Sequence, residues 1–432
     1  MVLALWPAPL AAQGEAWLSR ANAGAAAYSA GDYAAAEEHY VAAVKAAEAF
    51  GPDDERLAHS LAGLAEVYRA QGRYAKAWQR HRRALTIREK VLGPDHPDLA
   101  ESLHKLARLY QAQGWQNEAA PLLERSTAMF ERTLGPNHPR LAVILDDLAG
   151  LRQDQGRYRE AQVLYARALT ILKNRLGPNH PNVATSLNNL AALHQSRGNH
   201  AEAERLYARA LAVLEGAVGP DNLRVAAVLG NLARLHQARG RHDQAEALFR
   251  RALSIKEGAL GPDHPKVATT LNNLAELYRA RGRTDEAVSL FARALAIYRK
   301  TVGPEHPSVA LTLNNLALIQ DAAGRHGEAE TFYKRALAIL ESTRGPDHPD
   351  VANVLNNLAI LYHVQGNAAA SLPRFARALA IREAAFGPRH PSVAESLEDY
   401  AALLRGLGRG AEAARMEARA AAIRADHARA NP

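Results

Sequence analysis

Asparagine and arginine side chains recur at fixed offsets in this chain, and they are of the types that can hold an extended peptide. Asn272, Glu276 and Arg279 follow i, i+4 and i+7, so they lie along one line of a helix. A carboxamide donates and accepts hydrogen bonds at once, so a row of them can bind the backbone of an extended chain. The residues predicted to bind a peptide are Asn188, Asn272, Asn314 and Asn356, through its backbone, and Arg279, through an anionic side chain.

A structural role for these asparagines stays open, because each is followed by a second Asn, and one member of a pair can bond to the neighbouring repeat. The equivalent residues in earlier repeats are Ala62, His104 and Asp146, which favours the central and later repeats as the binding region. Basic and amide side chains predominate at the offsets of Glu276 and Arg279 across the repeats and favour an acidic ligand: Arg69, Arg108, Gln111, Gln153, Gln195, Arg234, Gln237, Arg279, His363 and Arg405.

Two other sets of residues each recur at one position of the repeat, and their side chains can take part in binding or catalysis. The first set is Arg83, Arg125, Arg167, Arg209, Arg251, Arg293, Arg335, Arg377 and Arg419. We interpret this set as a solvated row, with contact to phosphate or an acidic surface as the alternative. The second set is His96, His138, His180, His264, His306, His348 and His390, each before a proline. These histidines are one repeat apart, too far to share a metal at bond lengths of ~2 Å, so we expect them to form the linker turn and helix start, and we expect no metal or cofactor.

Enzymatic chemistry is not expected from this sequence. The chain has no cysteine, which excludes thiolate nucleophiles, thiolate metal sites and disulfides. It has no Gly-rich phosphate loop and no HExxH motif, and no repeat sets Ser, His and Asp apart from the others. A catalytic site needs one place that differs from the rest, so we predict a non-enzymatic protein.

A Gly-Pro pair returns every 42 residues, from Gly51 to Gly387, without insertion or deletion. Within the unit 261–302, an apolar stripe beginning at Leu271 predicts a first helix, which we call helix A. A glycine, Gly282 in this unit, ends helix A, and a second stripe around Phe291 predicts helix B. Alanine stands at the Ala275 position throughout, so the two helices can approach closely. The sequence therefore predicts an all-α array of helical hairpins.

The spacing of Leu271, Ala275, Tyr278, Gly282 and Phe291 resembles the tetratricopeptide repeat, and the 42-residue unit with DHP, LNNLA and RALAI resembles the repeats of kinesin light chain. This resemblance covers about residues 14–426 and implies a right-handed superhelical solenoid of about ten repeats. It also implies that the Asn272 line faces a concave groove and the arginine row faces outward. The heptad coiled coil of kinesin light chains is absent from this sequence, so a motor subunit is not expected.

We divide the chain into four segments. Residues 14–50 form an N-terminal capping repeat, 51–386 form eight 42-residue repeats, and 387–432 form a C-terminal capping repeat and tail. Residues 1–13 are either the remnant of a signal peptide or an apolar tail, because Val2–Ala12 is apolar and ends in small residues but lacks a basic leading region. The protein is periplasmic or secreted in the first case and cytoplasmic in the second.

The hydrophobic content of 48% excludes a disordered chain. The net charge of +8 favours acidic partners. No apolar run approaches the roughly 20 residues of a membrane-spanning helix. We therefore predict a scaffold that binds proteins or peptides with acidic segments, and we expect no small-molecule substrate. The alternatives are a structural or self-assembling array without a ligand, and a nucleic-acid-binding array that uses its basic surface.

Overall fold

The structure is a computed structural model that describes residues 10–430, with the side chains of residues 13–429. Within this part of the chain there are twenty α-helices and no strand. Their bounds are α1 Leu10–Ala30, α2 Tyr33–Glu48, α3 Glu55–Ala70, α4 Tyr74–Leu92, α5 Pro97–Ala112, α6 Gln116–Leu134, α7 Pro139–Asp154, α8 Tyr158–Leu176, α9 Pro181–Ser196, α10 His200–Val218, α11 Leu223–Ala238, α12 His242–Leu260, α13 Pro265–Ala280, α14 Thr284–Thr301, α15 Pro307–Ala322, α16 His326–Arg344, α17 Pro349–Val364, α18 Ala368–Phe386, α19 Pro391–Gly406 and α20 Gly410–Ala430. The predicted all-α hairpin repeat is confirmed. Most of the apolar segment Val2–Ala12 lies outside the described residues, and α1 crosses the predicted boundary at residue 13.

The chain forms two compact units. The first consists of Met1–Leu109 and Pro121–Gly135, and the second of Tyr110–Ala120 and Pro136–Pro432. In the first unit α3 packs against α4 and against α2. In the second unit each odd-numbered helix, the A helix, packs against the even-numbered B helix that follows it, from α7 with α8 to α19 with α20. Each of these B helices except the last also packs against the next A helix, so the hairpins stack in sequence order.

Glycines in the left-handed conformation close every hairpin turn. The ten turn glycines, from Gly31 to Gly408, have φ between 70° and 79°. A side chain disfavours this conformation because its Cβ approaches the following carbonyl oxygen, so glycine is the residue that ends helix A here. The linker glycines, such as Gly261 at φ 83°, are also left-handed and separate helix B from the next hairpin.

Alanine allows the two helices of a hairpin to pack closely. Ala275 on α13 and Ala294 on α14 are both completely buried and belong to one apolar cluster with Leu271 and Phe291. Where the Ala294 position is occupied by Ser126, the Ser126 hydroxyl donates to the buried carbonyl of Ala100 at 2.7 Å. The small residue is therefore retained, and its single polar group is satisfied.

The histidines of the linkers begin the A helices, as predicted. In all seven cases the Nδ1 atom accepts a hydrogen bond from the backbone N–H two residues later, at 3.0–3.2 Å. Proline follows as the first helical residue, where its fixed φ fits and its missing N–H is not needed. Asp54 and Asn222 accept the same bond in the two repeats that lack the histidine. An imidazole that accepts through Nδ1 must be unprotonated there.

Among the described residues, no helix combines the length and apolar character that a membrane crossing requires.

Candidate peptide-binding face

The candidate site lies where consecutive A helices meet in the second unit. Contacts join α7 to α9, α9 to α11, α13 to α15 and α15 to α17. The predicted asparagines stand on these helices, beside the buried stripe, and they therefore lie at the junctions between repeats. We call this surface of α9 to α19 the A-helix face.

Two of the predicted asparagines accept hydrogen bonds from the next repeat. Asn188 Oδ1 accepts from Asn231 Nδ2 at 2.8 Å, and Asn314 Oδ1 accepts from Asn357 Nδ2 at 3.0 Å. In each case the partner lies in the following repeat at the offset of the second asparagine; Asn357 follows Asn356, whereas Asn231 follows Gly230. These bonds join one repeat to the next, as expected if the asparagines have a structural role. Asn188 and Asn314 are half-buried.

The other two predicted asparagines donate to the next repeat. Asn272 Nδ2 donates to Thr312 Oγ1 at 2.9 Å, and Asn356 Nδ2 donates to Asp399 Oδ2 at 2.9 Å. The Oδ1 atoms of Asn272 and Asn356 are buried and accept no hydrogen bond from the described residues. A buried acceptor without a hydrogen bond costs free energy, so a donor that reaches either Oδ1 atom would form a favourable hydrogen bond with it.

Arg279 is exposed on the A-helix face, but its charge is already paired. Two of its guanidinium nitrogens, Nη2 and Nε, lie 2.9 and 3.3 Å from Glu276 Oε2. This i, i+3 ion pair connects two residues that the sequence placed on one line. The pairing weakens the attraction of Arg279 for an acidic ligand, because its nearest carboxylate comes from its own helix.

Arg234 on α11 is the cation of this face that keeps its charge available. Its Nη2 donates to Asn231 Oδ1 at 2.6 Å, and no carboxylate of the described residues pairs with it. Asn231 in turn donates to Asn188, so the guanidinium and the two carboxamides form one connected group.

The buried Tyr207 of α10 reaches the A-helix face at Gln195. The hydroxyl donates to Gln195 Oε1 at 3.2 Å. Burial raises the pKa of Tyr207 to about 12, and the nearby Arg234 charge opposes that rise. The phenol is therefore a neutral donor throughout the physiological pH range.

Sequence reasoning missed the partners of the carboxamides. Thr312, Asp399 and Tyr207 were not predicted as parts of the face. A signal for Thr312 exists in the sequence, because Ser or Thr recurs at its offset: Ser60, Ser102, Ser186, Thr270, Thr312 and Ser396. These hydroxyls are all buried and take part in bonds such as that from Lys256 Nζ to Thr270 at 2.6 Å.

The arginine row on the B helices is half-exposed, but it is not simply solvated. Arg251 Nη2 lies 2.7 Å from Glu215 Oε1 and Arg293 Nη2 lies 2.6 Å from Glu257 Oε1, each pair joining consecutive B helices. These members are exposed, in agreement with a solvated row, and each also joins one repeat to the next through its ion pair.

A family model, described as tetratricopeptide repeat, matches most of the chain. The matched residues are 15–90, 64–132, 117–174, 141–216, 224–300, 267–342, 328–367 and 350–426. No curated protein sequence matches the chain.

Several solved structures are similar to this chain. BtubC (BKLC) from P. vanneervenii is 26% identical, with 53% of this chain and 91% of that chain covered and a TM-score of 0.44. A kinesin light chain-type protein of Podosopora anserina with nearly identical TPR-like repeats is 31% identical, with coverage of 48% and 98% and a TM-score of 0.38. The Rap protein complexed with Competence and Sporulation Factor is 14% identical, with coverage of 86% and 99% and a TM-score of 0.56. The predicted likeness to the tetratricopeptide repeat is confirmed.

Proposed function

The chain belongs to the tetratricopeptide repeat family, and we propose that, as a protein-interaction scaffold of this kind, it binds extended peptide segments along the A-helix face. The observation that carries the proposal is the row of carboxamides at successive repeat junctions. Packed helices advance by about 8–10 Å per repeat, which is close to the length of about three residues of extended chain. A peptide on this face would therefore meet one carboxamide for about every third residue.

Asn272 and Asn356 supply acceptors for the ligand backbone in this proposal. Their Oδ1 atoms lack partners, and a peptide N–H has the chemistry to satisfy them. The atoms are buried, so a side-chain rotation accompanies binding. Binding then exchanges the bonds from Asn272 to Thr312 and from Asn356 to Asp399 for bonds to the ligand.

We propose an acidic ligand segment positioned at α11. Arg234 carries the available charge, and Asn188 and Asn231 adjoin it. Arg279 contributes less than its exposure suggests, because Glu276 neutralises it. We therefore place an acidic side chain of the ligand opposite Arg234, with Arg279 as a secondary contact.

Selection from a random peptide library displayed on phage tests this function. We expect the selected peptides to be enriched in Asp and Glu and to lose affinity for the variant Arg234→Gln. The matched control is Arg293→Gln, which removes another exposed arginine, on the B-helix side, and should leave affinity unchanged. Failure to select any peptide, or equal affinity for both variants, would contradict the proposal.

A second pair of variants separates ligand binding from repeat packing. Asn272→Ala and Thr312→Val both abolish the Asn272–Thr312 hydrogen bond, but only the first removes the carboxamide. Loss of selected peptides with Asn272→Ala and their retention with Thr312→Val supports the binding role.

A structural array without a peptide ligand is the second candidate function. It is favoured by the bonds that each predicted asparagine makes to the next repeat. In that case both variants lose stability equally, and the library yields no specific peptide. Binding of single-stranded nucleic acid that weakens steeply with salt would instead favour the nucleic-acid alternative.

A further inference from the structure

Ion pairs between successive repeats follow the B-helix arginine row. The arginine pairs with a Glu near the end of the preceding B helix in Arg83–Glu48, Arg125–Glu89, Arg251–Glu215, Arg293–Glu257, Arg377–Glu341 and Arg419–Glu383. At Arg335 the corresponding residue is Arg299, and Glu305 of the linker supplies the carboxylate instead. Each of these arginines therefore faces a carboxylate across its repeat boundary.

The boundary before Arg209 breaks this pattern. Lys173 stands at the position of the partner glutamate, and Asn179 stands at the linker position of Glu305. No carboxylate of the described residues pairs with Arg209 or Lys173. Burial and the Arg209 charge lower the pKa of Lys173, which indicates that the two cations are close enough to repel each other.

A second inter-repeat ion pair is missing at the same boundary. At three other boundaries a basic residue later in helix B pairs with an acidic residue of the preceding linker, in Lys90–Asp53, Arg132–Asp95 and Lys300–Asp263. The equivalent residues here are Gly216 and Asn179. Because Gly216 has no side chain, no long basic side chain crosses the space between helix B and the linker.

These substitutions leave a cleft of about 490 Å³. It is lined by Asn179, Arg209, Ala212, Val213, Gly216 and Ala217. The guanidinium of Arg209 can donate two parallel hydrogen bonds to an anion, and the carboxamide of Asn179 can add a third. Ala212, Val213 and Ala217 provide an apolar wall beside these donors.

We propose that this cleft binds a phosphate monoester, with Arg209 and Asn179 donating to the phosphate oxygens, Lys173 adding a second positive charge, and the apolar wall contacting the ester group. Two cations match a group that carries a charge of about −1.5 to −2 at pH 7. The ligand replaces the carboxylate that the other boundaries supply from within the chain. This site is separate from the A-helix face, so it can fail or succeed independently of the proposed peptide binding.

Calorimetric titration with phenyl phosphate tests the proposal on the full chain. We expect binding that weakens with salt, and a loss of affinity of about tenfold or more in Lys173→Glu. This variant restores the Glu–Arg pair found at the other boundaries, so it should remain folded, with an unchanged or higher melting temperature. The matched control is Arg293→Gln, which alters the same row at another boundary. Absence of binding by the wild type, or equal binding by Lys173→Glu, would overturn the proposal.

Two further titrations distinguish the sources of the phosphate. Free phosphoserine is compared with a short peptide that contains phosphoserine, and the unphosphorylated peptide serves as the blank. Tighter binding of the phosphopeptide supports a phosphorylated protein as the ligand, and equal binding supports a small phosphate ester. Equal binding of the unphosphorylated peptide would contradict a phosphate site.

Discussion

Ser186 donates a hydrogen bond of 3.1 Å to Asp146 Oδ1 across a repeat boundary, in the same place where Asn272 meets Thr312 in a later repeat. The carboxyl of Asp146 is buried, and burial raises its pKa to about 7. Asp146 therefore stands where later repeats have asparagine, and its buried carboxyl becomes charged as pH rises through about 7.

Asp146→Asn should stabilise the protein at neutral and alkaline pH. A carboxyl whose pKa is raised by folding supports the folded state below its unfolded value, near 3.8, and that support disappears as pH rises through about 7. We expect a gain of about 1–3 kcal/mol near pH 8 and little change near pH 4, measured by urea denaturation. Equal effects at both pH values would mean that Asp146 is ionised at little cost in the folded state.

Acid should weaken the A-helix starts through their histidines. Burial lowers the pKa of His264 and His390, and lowers that of His348 to about 4. The stability gained from these neutral caps is complete above the unfolded pKa of 6.5 and is lost as pH falls through the folded values.

The variant His264→Asn isolates one of these caps. Asn222 caps α11 through its Oδ1 at 2.9 Å and does not titrate, so it is a natural precedent. We expect the variant to lose about 1 kcal/mol less than the wild type when pH falls from about 7.5 to about 5, by urea denaturation. An identical pH dependence for both proteins would contradict a role of the neutral imidazole.

Two glycine substitutions compare strain with crowding. Gly282→Ala should cost about 1–2 kcal/mol, because φ is 72° while nothing lies within 4 Å of the added Cβ. Gly114→Ala should cost more, since its Cβ would lie 3.0 Å from His348 Nε2 and from Pro349 Cδ. The melting temperatures of the two variants measure this difference. Equal losses would show that the turn at Gly114 does not press against the start of α17.

Ala275→Leu should overpack the hairpin of α13 and α14. Ala275 and Ala294 are completely buried in the same cluster, so extra carbons force the helices apart at a cost of about 1–3 kcal/mol. Ala280→Leu, at an exposed position of the same helix, is the control and should be nearly neutral. An unchanged melting transition in Ala275→Leu would refute this packing.

The sequence was sufficient to predict the helices but not the hydrogen bonds of the candidate site. Gly282, Ala275 and the stripe at Leu271 act within one hairpin, so their spacing along the chain determines what they contact. Asn272 and Thr312 belong to different repeats, and their contact depends on how one hairpin is placed on the next. The same limit applied to Arg279, because the choice of Glu276 as its partner depends on side-chain rotamers rather than on helical position alone.

Gly114 faces His348 and Gly156 faces His390, and the two partners are separated by the same number of residues in both contacts. Since that interval is set by the 42-residue period, duplication of one whole repeat between the partners would bring another His-Pro linker opposite each glycine, His306 opposite Gly114 and His348 opposite Gly156. Unequal recombination that adds a repeat would therefore lengthen such a gene while preserving these internal contacts. Related proteins would then differ in the number of repeats, and so in the number of candidate peptide-binding positions, rather than in the structure of each repeat.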